Sequence, residues 1–317
     1  MRDFRIDGIV PIIPTPFFAD DRPDWESLRG LVDFAHAGGA CAVCLPAYAS
    51  EFYKLSEDER RESVARAVEY AAARIPVIAQ VNFATPPMVV EAAAAAKGNG
   101  ATAVCSAVPR MIPLSENDLF PYFARILDSV ELPFIIQDFN PGGATLTSRF
   151  VANLNSEFPH FRYIKLEEPM MSTRVREIDD ATDGRVGVLE GWGGMYMLEL
   201  ISAGIAGVMP GLAVSDVLAL SFRQARANDF DGAYESFMHV CPQIVFSLQS
   251  MELFHHAEKR LLQARGILPN AFVRQVRMEL REDEARHIEF LNMKVLTSLD
   301  QLGMARNPLL AMNSQVK

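Results

Sequence analysis

The chain has 317 residues, half of them hydrophobic, with 40 acidic against 30 basic side chains and a formal net charge of −10. That length fits one large domain or two small ones, and the acidic balance argues against a nucleic-acid partner while leaving room for a small anionic substrate in a local pocket. No basic segment leading into an apolar stretch opens the sequence, and no apolar run reaches about 18 residues, so a soluble, cytoplasmic protein without a membrane partner is expected.

An apolar run at Ile9–Ile13 opens a series that alternates with longer amphipathic stretches. The next runs are Ala40–Leu45, Pro76–Val81, Ala101–Ala107, Pro133–Gln137, Tyr163–Lys165, Val186–Leu189 and Ile205–Met209; each reads as a buried strand. Helix starts lie between them. Ser56 with Glu59 forms a capping box, Ser115 with Asp118 a variant of it, and Thr85 caps a helix that opens on Pro86. Gly38-Gly39, Gly98-Asn99-Gly100 and Gly204 each stop a helix just before an apolar strand. Repeated βα units imply a parallel sheet, and eight of them in about 225 residues fit a (β/α)8 TIM barrel. A doubly wound open sheet is the alternative, but no Gly-x-Gly-x-x-Gly follows the first strand.

The barrel is expected over residues 1–227 and a C-terminal helical extension over 228–317, with helices at Asp229–Leu248, Glu252–Arg265 and Glu282–Leu299. Phe230, Tyr234, Phe237 and Cys241 fall at near-helical spacing and are expected to pack on the barrel, with a subunit interface as the alternative. His255 and His256 are expected on a solvated helix face. Cys41 and Cys44 form a C-x-x-C inside an apolar run, which favours buried thiols over a redox or metal pair. Cys105 and Cys241 stand alone, the six histidines lack ligand spacing, and neither a metal nor another cofactor is expected.

Six lysines among 30 basic residues leave arginine as the routine surface cation. Lys165, at the end of an apolar strand, therefore needs a reason. Burial disfavours an ammonium, so a lowered pKa and a nucleophilic neutral amine are expected there. The period of two along a strand places Tyr163, Lys165 and Glu167 on one face. An amine beside a carboxylate suits Schiff-base chemistry on a 2-oxo acid, with Glu167 moving protons; a lysine reaching solvent and paired with Glu167 or Glu168 is the plainer alternative. In a barrel, active sites gather at the carboxyl ends of strands. That rule collects Tyr48, Ala49 and Ser50 after strand two, Arg110 after strand four, Gln137 and Asp138 after strand five, and Glu190–Gly194 after strand seven. Among these, Gly191 reads either as permitting close approach of a substrate, with Trp192 as a wall, or as part of a plain tight βα turn. Tyr48 is placed either to donate to a substrate hydroxyl or to pack at the rim. Arg110 reads either as a grip on a distal group or as a plain surface arginine, and Asp138 as a loop cap.

From Gly8 to about Val217 the sequence resembles the dihydrodipicolinate synthase / N-acetylneuraminate lyase superfamily. Thr15-Pro16-Phe17 matches its opening motif, Ala47–Glu51 stands where the family has Gly-Thr-Thr-Gly-Glu, and Ile164-Lys165 matches its Schiff-base lysine. The departures argue against a dihydrodipicolinate synthase. Gln137 replaces the proton-shuttling tyrosine of strand five, Tyr48 and Ala49 replace two carboxylate-binding threonines, Arg110-Met111 replaces a tyrosine motif, and Gly142–Thr145 lacks the substrate-gripping arginine. Ser50-Glu51-Phe52, Gln137-Asp138 and Lys165-Leu166-Glu167 are similar to the branch that includes L-2-keto-3-deoxyarabonate dehydratase. The resemblance implies that Lys165 forms the imine and Glu167 takes over the acid–base work. Tyr48, Ala49, Ser50, Gln137, Gly191 and Trp192 become substrate contacts, with backbone N–H groups near Ala49 and Ser50 on the carboxylate. It implies dehydration of a 2-keto-3-deoxy sugar acid in a homotetramer built from dimers. A pyruvate-dependent aldolase and a barrel that binds a 2-oxo acid without turnover are the alternatives.

Overall fold

Each glycine stop ends a helix in left-handed backbone. Helix α1 (Trp25–Ala37) is followed by Gly39 at φ +85°, α3 (Pro86–Gly98) by Gly100 at +94°, and α7 (Met197–Ala203) by Gly204 at +96°. Glycine reaches that region without a Cβ clash, so the chain turns at once into the following strand. The computed structural model describes residues 4–139, 145–168, 171–274 and 278–313; Asn140 and Gly142–Ala144 of the strand-five loop lie outside them.

The strands are β1 (Gly8–Ile9), β2 (Val43–Leu45), β3 (Val77–Gln80), β4 (Ala103–Ala107), β5 (Phe134–Asp138), β6 (Phe161–Leu166), β7 (Gly187–Glu190) and β8 (Gly207–Val208). They pair in parallel in the order β1-β8-β7-β6-β5-β4-β3-β2. Ile12 closes the ring by bridging Cys44 on one side and Gly211 on the other. The remaining barrel helices are α2 (Glu57–Ala71), α4 (Glu116–Leu127), α5 (Ser148–Glu157), α6 (Met171–Thr182) and α8 (Ser215–Arg226). The fold is thus a (β/α)8 barrel with added C-terminal helices. β1 is shorter than the apolar run that encodes it, because Pro11 has no N–H to give a ladder.

Strand alternation divides the apolar side chains into two cores. Ile12, Cys44, Ile78, Cys105, Ile135, Tyr163, Leu189 and Met209 fill the barrel, while alternate residues such as Val43, Val104, Ile136 and Ile164 face the helices. The capping box at Ser56/Glu59 is formed; at Ser115 the Asp118 carboxylate accepts the N–H and the hydroxyl, while the Asp118 N–H goes to the Ser115 carbonyl, and Thr85 occupies its cap position without a side-chain bond.

The segment expected as one helix over Asp229–Leu248 is two, α9 (Phe230–Met238) and α10 (Cys241–Ser247). Pro242 lacks the N–H an uninterrupted helix requires and fits only in a first turn. The expected packing of the α9 stripe holds for Phe237, which is buried, and fails for Phe230 and Tyr234, which are 45% and 57% exposed. Helices α11 (Met251–Ala264), α12 (Glu282–Gln301) and α13 (Pro308–Asn313) follow. His255 is not on a solvated face: it is 1% exposed and held against the Tyr53 hydroxyl. Among the described residues, no helix is long and apolar enough to cross a membrane.

Candidate active site

β5 and β6 pair with Gln137 beside Lys165, and both side chains turn into the barrel. Two residues further on, Glu167 turns the same way at the mouth. Lys165 Nζ lies 3.1 Å from Glu167 Oε1, and the residues are 5% and 6% exposed. Gln137 Nε2 donates to the same oxygen at 2.6 Å. Tyr163 shares the face but sits on the barrel floor, where its hydroxyl accepts the Ile6 N–H at 2.8 Å.

The expected drop in the Lys165 pKa does not occur in the resting site. Burial pulls it down, but the Glu167 carboxylate, with smaller help from Cys105 and Cys44, more than reverses this and raises it. Beside that carboxylate the ammonium form is favoured, and a proton would have to leave before the nitrogen could act as a nucleophile. Glu167, at 3.1 Å, is positioned to take that proton.

A cavity of about 330 Å³ opens over the pair. Tyr48, Ala49, Gln137, Gly191 and Trp192, all expected from the sequence, line it together with Lys165 and Glu167. Ser50 is not among its walls. It is fully buried behind them; its N–H donates to Ala47 O, its carbonyl accepts from Thr15, and its hydroxyl has no partner. The Tyr48 ring packs on Phe52 and Phe139, and Phe139 leans on Trp192, which makes an aromatic wall. Burial first, and then the Glu167 charge, raises the Tyr48 pKa, so its hydroxyl keeps its proton at neutral pH. Gly191 has a structural requirement of its own. A Cβ there would lie 2.5 Å from Glu167 Cγ and 2.6 Å from Lys165 Cε.

Arg110 does not reach the cavity; it is paired with Asp138 at 2.5 Å. Asp138 also accepts the Leu146 N–H, as a loop cap would, and burial raises its pKa against both contacts.

Gln80 and the roof of the cavity escape the sequence reading, and Glu190 and Glu51, found there only by position, take roles it does not assign. Gln80, at the end of β3, donates to Gln137 Oε1 at 2.8 Å and to Asn82 Oδ1 at 2.9 Å. A polar residue inside the apolar run Pro76–Val81 is the signal that would find it. Glu190 accepts the Gly194 N–H at 2.8 Å and shapes the loop that carries Gly191 and Trp192; burial pushes its pKa up to about 7. Leu248, just after α10, and Met251 and Phe254, from the first turn of α11, roof the cavity, a long-range placement that no local pattern encodes. Finally, Glu51, in left-handed backbone at φ +63°, is buried in ion pairs with Lys54, at 3.0 Å, and Lys259; Lys54 reaches on to Glu252 at 2.8 Å. This cluster ties the turn bearing Tyr48 and Ala49 to α11. Among the described residues, no three His, Cys, Asp or Glu side chains are grouped to hold a metal.

Fold and site together define a (β/α)8 barrel centred on a buried lysine–carboxylate pair at its carboxyl mouth. The sequence profile of the Dihydrodipicolinate synthetase family matches residues 5–291, and the chain belongs to that family. It is 26% identical over 286 residues to the L-2-keto-3-deoxyarabonate dehydratase of Azospirillum brasilense, covering 87% of this chain and 90% of that one. It is 25% identical to the 4-hydroxy-tetrahydrodipicolinate synthase of Parabacteroides distasonis, covering 85% and 91%. In structure it is similar to the 4-hydroxy-tetrahydrodipicolinate synthase of Methylacidiphilum fumariolicum SolV, with a TM-score of 0.86, 19% identity and coverage of 94% and 99%. The dihydrodipicolinate synthase of Rhodopseudomonas palustris is similar as well, with a TM-score of 0.84, 21% identity and coverage of 91% and 97%.

Proposed function

We propose that this protein is a Schiff-base-forming lyase that dehydrates a 2-keto-3-deoxy sugar acid. The observation that carries the reading is the triad of Lys165, Glu167 and Gln137, buried together at the cavity floor. When substrate enters, Lys165 passes its proton to Glu167 and attacks C2. The carbinolamine oxygen leaves as water with the proton from Glu167, and the imine becomes the electron sink. Glu167, a carboxylate again, removes a proton from C3. The enamine then expels the C4 hydroxyl, which leaves as water with the proton Glu167 has gained, and water hydrolyses the imine to free Lys165 and the 2-oxo product. Tyr48, Ala49, Gln137, Gly191 and Trp192 contact the substrate, and Ser50 supports its carboxylate end from behind. The chemistry needs no cofactor, because the condensed lysine supplies the sink.

The match with a 2-keto-3-deoxyarabonate dehydratase over most of both chains supports the dehydratase outcome. The engagement of Arg110 with Asp138 leaves the described walls without a guanidinium for a second carboxylate, which is consistent with a sugar acid. Borohydride reduction with pyruvate, followed by peptide mass spectrometry, tests the reading. A pyruvyl group on Lys165 supports it, and no adduct with any 2-oxo acid leaves a binding barrel instead. Product analysis on 2-keto-3-deoxy sugar acids separates dehydration from retro-aldol cleavage, since only cleavage releases pyruvate. The same reading makes the protein a cytoplasmic homotetramer, and the exposed Phe230 and Tyr234 of α9 support self-association. Sedimentation velocity gives the assembly.

A further inference from the structure

Glu167 is touched by one side-chain amide, and an amide has two unlike ends. If Gln137 turned its carbonyl rather than its NH2 toward Glu167, acceptor would face acceptor. The direction is set elsewhere, at an atom that cannot be reversed. The backbone N–H of Ala107 in β4 only donates, and it donates to Asn82 Oδ1 at 2.8 Å. Asn82 must therefore present an acceptor there. Gln80 Nε2 donates to that oxygen at 2.9 Å and spends its other hydrogen on Gln137 Oε1 at 2.8 Å. With its carbonyl occupied by a donor, Gln137 has only its NH2 left for Glu167. The far end of Gln80 agrees, because its Oε1 faces the Cys44 thiol, a weak donor, at 3.6 Å. Holding this order has a visible cost, for Asn82 Nδ2 is buried with no partner.

We propose that Gln80 is a positioning residue: it fixes which way round Gln137 sits, so that the general base Glu167 always meets an N–H donor. This rests on the reading of Glu167 as the base of the imine chemistry. Gln80 makes no hydrogen bond to the Lys165–Glu167 pair and does not itself line the cavity, so it acts only through Gln137. Hydrogen bonds in buried chains polarise and strengthen one another, so cutting one link weakens the next.

The test is exchange of the pyruvate methyl protons for deuterium, followed by NMR as a function of pH. Exchange needs the imine and the base but no sugar acid. Gln80→Met keeps the side chain's length and removes its donor. It is expected to slow exchange about tenfold, the weight of one hydrogen bond to a charged group, and to move the acid limb of the profile up by about one pH unit. In the Gln137→Met background it should add nothing, since the two residues form one path. A wild-type profile for Gln80→Met, or losses in the double variant that multiply, would overturn the proposal. No exchange by the wild-type protein would instead sink the imine reading. The neutron structure of Gln80→Met, which tells N–H from O, then still decides the positioning role: a Gln137 amide reversed or turned away from Glu167 is expected, and an unchanged N–H contact refutes it.

Discussion

Gly191→Ala is the sharpest perturbation the site offers, because the residue's φ lies outside the left-handed region and the new methyl group strains no backbone. What it meets is the buried Lys165–Glu167 pair. Its Cβ would lie 2.5 Å from Glu167 Cγ, 2.6 Å from Lys165 Cε and 2.9 Å from Glu167 Oε1. Carbon atoms settle at about 3.5–4.0 Å, so the overlap is close to 1 Å on both partners. The backbone has little room to retreat, since the Gly191 N–H is bonded to Leu166 O at 2.8 Å as a continuation of the β6–β7 ladder. The two side chains must yield, and yielding opens their 3.1 Å contact. Overpacking of this kind costs about 1–3 kcal/mol in stability, and a displacement of about 1 Å at a reacting group costs roughly 10²-fold in rate. The assay is turnover and borohydride trapping beside a thermal melt. Gly204→Ala is the control: at φ +96°, with no atom within 4 Å of its Cβ, it should lower the melting temperature and leave turnover alone. If Gly191→Ala turns over within about twofold of wild type, the pair is not the rate-determining machinery at this mouth.

Glu167→Gln should keep the pyruvyl adduct on Lys165 and slow turnover by ~10²–10⁴; equal turnover would remove Glu167 from the acid–base role. Glu51→Gln strips the anion from the buried Lys54 and Lys259, and it should destabilise the fold by about 3–5 kcal/mol in urea unfolding; a loss under ~1 kcal/mol would show the cluster to be dispensable. Burial pushes the pKa of Glu258, which accepts the Ala213 N–H, up to about 7. Between its unfolded value of about 4.5 and that folded value the native state holds a proton the unfolded chain has lost, so Glu258 takes stability away as pH rises, on the order of 3 kcal/mol across the window. Glu258→Gln removes that term, and its melting temperature should gain on wild type from about pH 5 to about pH 7; a constant difference would refute the assignment. Tyr234→Glu should shift sedimentation toward smaller species if the open face of α9 joins copies of the chain, and no shift would leave that face solvated.

Much of the barrel is written in local pattern. Alternation of apolar runs with capped, glycine-stopped helices is a short-range signal, and the left-handed backbone at Gly39, Gly100 and Gly204 is its direct cause. Lys165 and Glu167 were legible for the same reason, since a strand's period of two commits both to one face before any neighbour is known. The protonation of Lys165 was not legible. Burial alone would lower its pKa, and only the closeness of Glu167 within a shared cavity reverses the sign. The order of the amides from Ala107 to Glu167 links four strand ends far apart in sequence, and hydrogen-bond direction passes only through contacts. The roof from Leu248 to Phe254 and the burial of His255 likewise depend on where α11 docks. The chain's own pattern chose the barrel and put Lys165 and Glu167 on one face; the closing of the ring chose what surrounds them, because charge, donor direction and cavity walls are properties of neighbours in space.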